Sequence, residues 1–316
     1  MSRLLTAGLF RVFKRKTFYI CLAVMAINGI FNVISSYSDK MRGHIINFDD
    51  VFFEYVPIIQ ILMSVFCALF IGTEYGDGTL RNKIVSGYKR STIYLSNFII
   101  CAAAGLMMCG AYFITYFGLG IPLLGSSENI SALMALVGCS AALLMAVTGI
   151  FTLIAMTVKS KSASAVISII LAFVMILAAG MLYSMLQEPE YYHNFKIYSY
   201  SGNDIYNEQT LDNDPENQIE ADAKDYEPGF HMSFSDGKET AANDIESSEL
   251  VPNKFYISGI KRQIYQFIVE FTPGGQALLI VSRDVGNPLL LVGYSMIIAV
   301  VTTAAGIIIF NKMNLN

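Results

Sequence analysis

The stretch Glu74–Arg90, EYGDGTLRNKIVSGYKR, decides the fold. It is a short basic segment between two long apolar runs, Val51–Gly72 and Thr92–Gly120. Each run reaches the roughly 20 apolar residues that a helix needs to cross a bilayer. A turn this tight between two crossings lies at one membrane face. It carries Arg81, Lys83, Lys89 and Arg90 against Glu74 and Asp77, and that basic excess assigns it to the cytoplasmic side. A helical patch displayed there is suited to being gripped by a soluble partner.

The rest of the chain reads the same way. Its 316 residues are 54% hydrophobic and 15% charged, against about 25% charged in a typical soluble domain. Mean hydropathy is +0.51. The apolar residues collect in runs, which predicts an all-α polytopic membrane protein. Six spans are expected: Thr17–Ser36, Val51–Gly72, Thr92–Gly120, Ser131–Val158, Ala163–Leu186 and Leu289–Phe310. The third and fourth exceed a single crossing, so they tilt or run on beyond the lipid. The first apolar run is too long for a signal-peptide core of about 7–15 residues, and no small-residue cleavage site follows it.

Charge sets the expected orientation. The pieces 1–16, 73–91, 159–162 and 311–316 hold 12 of the 21 Lys and Arg but two of the 25 Asp and Glu. Such an imbalance predicts both termini inside. The net charge of −4 averages a basic inside with an acidic outside. The five cysteines (Cys21, Cys67, Cys101, Cys109 and Cys139) fall in apolar spans and read as small packing residues rather than a disulfide framework or metal set.

Residues 2–16 predict an amphipathic helix with Ser2 as N-cap. Leu4, Leu5, Leu9, Val12 and Phe13 share one half of the wheel, with Arg3, Arg11 and Lys14 opposite. Such a helix lies in the inner interface, basic side to the headgroups. A short outer loop, 37–50, a tight outer link, 121–130, and a very short inner turn, Lys159-Ser160-Lys161-Ser162, connect the spans. The largest polar segment runs from about Gln187 to Pro288. Its first half, Glu188–Glu249, holds 16 acidic residues against Lys196, Lys224 and Lys238. Asn194–Ser201 alternates as a strand would, whereas 211–228 reads as weakly structured. Nine tyrosines and phenylalanines between Tyr191 and Phe234 favour a small lid-like domain of mixed structure. In the second half Phe255, Ile260, Ile264, Phe267, Ile268 and Phe271 recur at helical spacing, then Pro273-Gly274-Gly275 breaks the helix. A helix–break–helix hairpin entering the outer leaflet fits, provided protein or a watery cavity satisfies its backbone. The expected division is 1–186, 187–254, 255–288 and 289–316.

The chemistry is sparse. No GxxxxGK[ST] loop occurs, so this chain alone is not expected to hydrolyse ATP. His44, His193 and His231 are scattered, and no catalytic constellation appears. Glu54, at an outer edge, is the single acidic residue read near a span, and proton- or ion-coupled transport normally needs intramembrane ionisable groups. Runs such as Ala102–Gly105 and Gly138–Ala142 read as close helix packing. Within 74–90, Asp77 or Thr79 can cap a helix, Leu80, Ile84 and Tyr88 share a face beside Arg81 and Lys83, and Gly87 can end it.

Here the sequence resembles the permease subunits of the ABC type-2, exporter-type, transporters. The matching residues are Glu74-Tyr75, Gly78-Thr79-Leu80-Arg81, Ile84, Gly87 and Arg90. The interfacial helix, the six spans and the break Thr272–Gln276 fit in layout. The resemblance implies two permease chains, identical or related, each docked on a separate ABC-type ATPase that carries the ATP and Mg. Residues 77–88 become the coupling helix, with Glu74, Asp77, Thr79, Leu80, Arg81, Lys83, Ile84, Gly87 and Arg90 as its signature, and Leu80 and Ile84 on the docking face. Pro273, Gly274 and Gly275 become a re-entrant break capping the outer end. No cofactor is expected on this chain, and no nucleic-acid partner. The implied role is export from a bacterial cell membrane of an amphipathic or hydrophobic substrate (peptide, antibiotic or lipid-like), with antimicrobial-peptide resistance first among the choices. The external segment is longer than the family pattern. It leaves a second reading open, a membrane-anchored sensor whose acidic domain captures a cationic ligand.

Overall fold

The apolar runs fold as long helices. In the computed structural model of the chain, the described residues are 1–127, 129–193, 196–198, 208–210 and 250–313. A first helix, α1 (Ser2–Lys14), turns at Arg15 into α2 (Lys16–Met41). A 3-10 turn, Phe52–Glu54, leads into α3 (Tyr55–Gly76). A short α4 (Thr79–Val85) precedes α5 (Arg90–Leu124), α6 (Ile130–Thr157) and α7 (Lys161–Gln187). After the insertion come α8 (Gly259–Phe271), α9 (Pro273–Val281) and α10 (Pro288–Lys312). Among the described residues six helices are long and apolar enough to cross a membrane, and α8 with α9 forms a pair bent by 90°. The chain is therefore an all-helical multi-pass membrane protein in its main unit.

Every span overruns its predicted limits at one end or both. The helix α2 continues five residues past Ser36, and α3 four past Gly72. Backbone hydrogen bonding gains from each added residue whether or not the side chain is apolar, so a polar residue ends an apolar run without ending a helix. The helix α1 begins at Ser2 itself, with Met1 in the capping place and no side-chain cap.

The main unit comprises 1–186 and 259–316; the second comprises 187–258. Residues 255–258 thus belong with the insertion, and α8 and α9 with the membrane unit. In the main unit α3, α5, α6 and α10 form the centre. Contact between α6 and α10 is backbone-close: a Cβ on Gly149 would lie 3.5 Å from the Ala299 Cα and against the Thr302 hydroxyl. Small residues permit such approach between membrane helices. By contrast α7 buries little beyond Ser164, Ser168, Ala172 and Ala179, and presents Val166, Ile170, Phe173, Val174 and Leu177 outward. All five cysteines are free and buried.

One end of the bundle is closed by aromatic packing. Phe52 lies within 5.4 Å of the Phe113, Tyr116 and Phe117 rings. The Tyr112 and Tyr116 hydroxyls donate to the carbonyls of Phe52 (3.0 Å) and Phe48 (2.8 Å). Loops there are tied by ion pairing of Arg283 with Asp50 and by Ser127 donating to Asp49 at 2.9 Å.

In the second unit β1 (Tyr191–His193) pairs antiparallel with β4 (Leu250–Pro252), and β2 (Lys196–Tyr198) with β3 (Glu208–Thr210). Asn253 closes its base by donating to the Pro189 carbonyl at 2.9 Å and to Glu188 at 3.1 Å. The acidic stretch 211–228 and His231 lie outside the described residues.

Candidate functional site

The basic residues gather at the opposite end of the bundle, around one carboxylate. Glu74 sits in the last turn of α3 and is fully buried. The sequence reading placed it in a loop and found no buried charge in the spans; the structure corrects both points. The reason it can be buried is its partners. Its Oε1 accepts from Arg11 of α1 at 2.5 Å and from Lys83 of α4 at 2.8 Å. Its Oε2 accepts from the Asn97 amide of α5 at 2.9 Å. Its backbone carbonyl accepts from the Thr79 hydroxyl at 3.1 Å. A buried charge is tolerated when paired and hydrogen-bonded, and here all of these contacts converge on one residue. Four helices thus meet at Glu74.

Arg11 also lies over the Phe70 ring, 5.6 Å from its centroid. Its predicted place, facing headgroups opposite the apolar half of α1, is therefore wrong: the guanidinium reaches into the bundle. What α1 buries is Leu4, Gly8 and Val12, while Phe10 and Phe13 face outward. Arg15 pairs with Asp77 at 3.1 Å in a more exposed contact.

Two further bonds extend the junction. The Tyr75 hydroxyl donates to the Met156 carbonyl at 2.5 Å, joining α3 to the end of α6. Arg90, at the start of α5, donates to the carbonyls of Phe310 (3.2 Å), Asn311 (3.2 Å) and Met313 (2.5 Å). Those are the groups a helix C-terminus leaves unsatisfied, and a cation suits the negative end of the α10 dipole.

The short helix α4 stands on this platform. Gly78 (φ 67°) and Gly87 (φ 85°) flank it in the left-handed region that glycine enters freely. Gly78 takes the N-cap place, so neither Asp77 nor Thr79 caps the helix by its side chain. Leu80 is 2% exposed and packs into the bundle core, with Ile84 and Tyr88 against the same core. This overturns Leu80 as a docking-face residue: two turns of helix bury their first apolar side chain against the nearest apolar surface, which belongs to the chain itself. The outward side is Arg81, Asn82, Val85 and Ser86, with Val85 80% exposed.

Pro273, Gly274 and Gly275 lie elsewhere, at the bend between α8 and α9. Pro273 is the first residue of α9, where a missing N–H costs nothing. A Cβ on Gly274 would strike the Met175 carbonyl, and one on Gly275 the Val269 backbone. Two glutamine side chains satisfy carbonyls of the broken backbone, and a serine holds one of them. The Gln276 amide donates to the Glu270 carbonyl at 2.9 Å and accepts from Ser295 at 2.6 Å. The Gln60 amide donates to the Pro273 carbonyl at 2.9 Å.

Sequence reasoning missed Arg11, Asn97, Gln60, Gln276, Ser295 and Val85. For Asn97 and Gln60 a signal was present: each is a lone amide inside an apolar run. No family model matches this chain, and no curated protein matches it.

Proposed function

We propose that this chain is the membrane-spanning permease subunit of an ATP-driven exporter of the ABC type-2 kind. The observation that carries the reading is α4: a short helix at the basic end, locked inward by Leu80 and the Lys83–Glu74 pair, with Arg81, Asn82, Val85 and Ser86 free. A lever must be stiffly attached on one side and available on the other, and α4 is both. The resemblance over 74–90 and the bent α8–α9 pair support the same reading. In it the basic end faces the cytoplasm of a bacterial cell, a separate ATPase grips the outer side of α4, and a second permease chain completes the path. Closure of the ATPase pushes α4, and Glu74 passes the push to α1, α3 and α5 together. The one fully buried carboxylate of the described spans, Glu74, is spent on Arg11, Lys83 and Asn97, which favours an amphipathic or hydrophobic cargo such as a peptide, antibiotic or lipid-like molecule.

The test is purification from native membrane in mild detergent, with mass spectrometry of what accompanies the chain. An ATPase of the ABC class is expected, and Val85→Asp is expected to abolish its recovery while leaving the melting temperature unchanged. Leu80→Asp would confuse the result, because a charge there is buried in the bundle itself. Recovery of the chain without any ATPase, from wild type, would overturn the reading.

A further inference from the structure

Next to the Gln60–Pro273 contact, between α3 and α6, lies a cavity of about 10 Å³. Its polar wall is Tyr55, Gln60 and Ser140; the remainder is aliphatic and includes Val147. The hydrogen bonds around it fix where each proton goes. The Gln60 Nε2 donates to the Pro273 carbonyl at 2.9 Å, so the amide orientation is set and Oε1 is left as an acceptor. Gln60 is 2% exposed, and Oε1 has no hydrogen-bond partner among the described residues. Ser140 spends its hydroxyl proton on the Val137 carbonyl at 2.8 Å. The 2.6 Å contact between Tyr55 and Ser140 therefore has Tyr55 as donor, since each hydroxyl has one proton. What remains on the wall is acceptors alone.

We propose that this cavity is a built site for one water molecule, donating to Gln60 Oε1 and to a hydroxyl oxygen of the Tyr55–Ser140 pair. The size fits: about 10–15 Å³ by this measure is what one water needs. The chemistry fits as well, because a wall of acceptors calls for a small ligand with two protons to give. A buried water of this kind counts as part of the structure. It would link α3 to α6 through the same amide that holds the start of α9, so the bend would be braced through solvent.

The test is a pair of melting curves on the detergent-solubilised full chain. Val147→Ile adds one methylene at the cavity wall. In a wet site it displaces the water and strands Gln60 Oε1, so Tm falls by about 2–4 °C. A Gln60→Met background has already lost Oε1 together with the bond to the Pro273 carbonyl, so there the same substitution strands no further acceptor and leaves Tm level or higher. A rise in the wild-type background would mean a dry cavity and overturn the proposal. An equal change in both backgrounds would mean simple crowding and overturn it too. If Gln60→Met does not fold, an experimental structure resolving ordered solvent decides. Density about 2.7–3.2 Å from Gln60 Oε1 supports the water. Aliphatic packing without density, or oxygen ligands gathered at about 2.4 Å around a cation, overturns it.

Discussion

Glu74 concentrates more of the architecture than any other residue described. Its carboxylate is the shared acceptor for a cation on α1, a cation on α4 and an amide on α5. Removing one member of a buried ion pair costs about 3–5 kcal/mol, mostly through the partner left unpaired. Glu74→Gln keeps the size and strands both Arg11 and Lys83, so the melting temperature should drop sharply. Arg15→Ala should change stability by about 0–1 kcal/mol, because the Arg15–Asp77 pair is solvated and screened. Comparable melting curves for the two variants would remove Glu74 from its central place. The same comparison separates two neighbouring cations. Lys83→Met should destabilise the chain, whereas Arg81→Met should leave it folded and weaken only recovery of a partner.

At the scale of elements, the bend between α8 and α9 depends on glycine where backbones touch. Gly275→Ala should cost about 1–3 kcal/mol or more, since the new methyl meets the Val269 backbone. Gly138→Ala, on an open side of α6 with nothing within 4 Å, should be neutral or gain up to about 1 kcal/mol. Thermal unfolding of both variants checks the contrast, and equal behaviour would refute the contact. The bend was legible in Pro273-Gly274-Gly275, and the spans were legible from composition, because lipid demands long apolar helices. The burial of Glu74 was not, because a charge at the end of an apolar run reads locally as a loop. The cation that rescues it lies 63 residues earlier. Nor was the inward side of α4. Seven residues make two turns, and Leu80, Ile84 and Val85 surround them, so the sequence pattern alone could not say which side meets the bundle.

At the scale of the molecule, the charge asymmetry gives the proposed orientation a direct check. Ile45 is 94% exposed near one end, Val85 80% exposed at the other, and the five native cysteines are buried. A membrane-impermeant maleimide should label Ile45→Cys in intact cells and Val85→Cys only in permeabilised membranes stripped of peripheral proteins. Labelling of both from one side would dismantle the six-crossing topology. Arg90 bears on how such a molecule is made. It leaves the ribosome 220 residues before the Phe310 carbonyl it will hold. Until α10 arrives, the start of α5 carries a cation with no helix end to bind, and Gly149 of α6 faces no neighbour. A nascent or truncated product would display both defects at once, in the bilayer and at its surface. The Arg90 clasp thus reports the arrival of α10: a product that stops short of that helix lacks it.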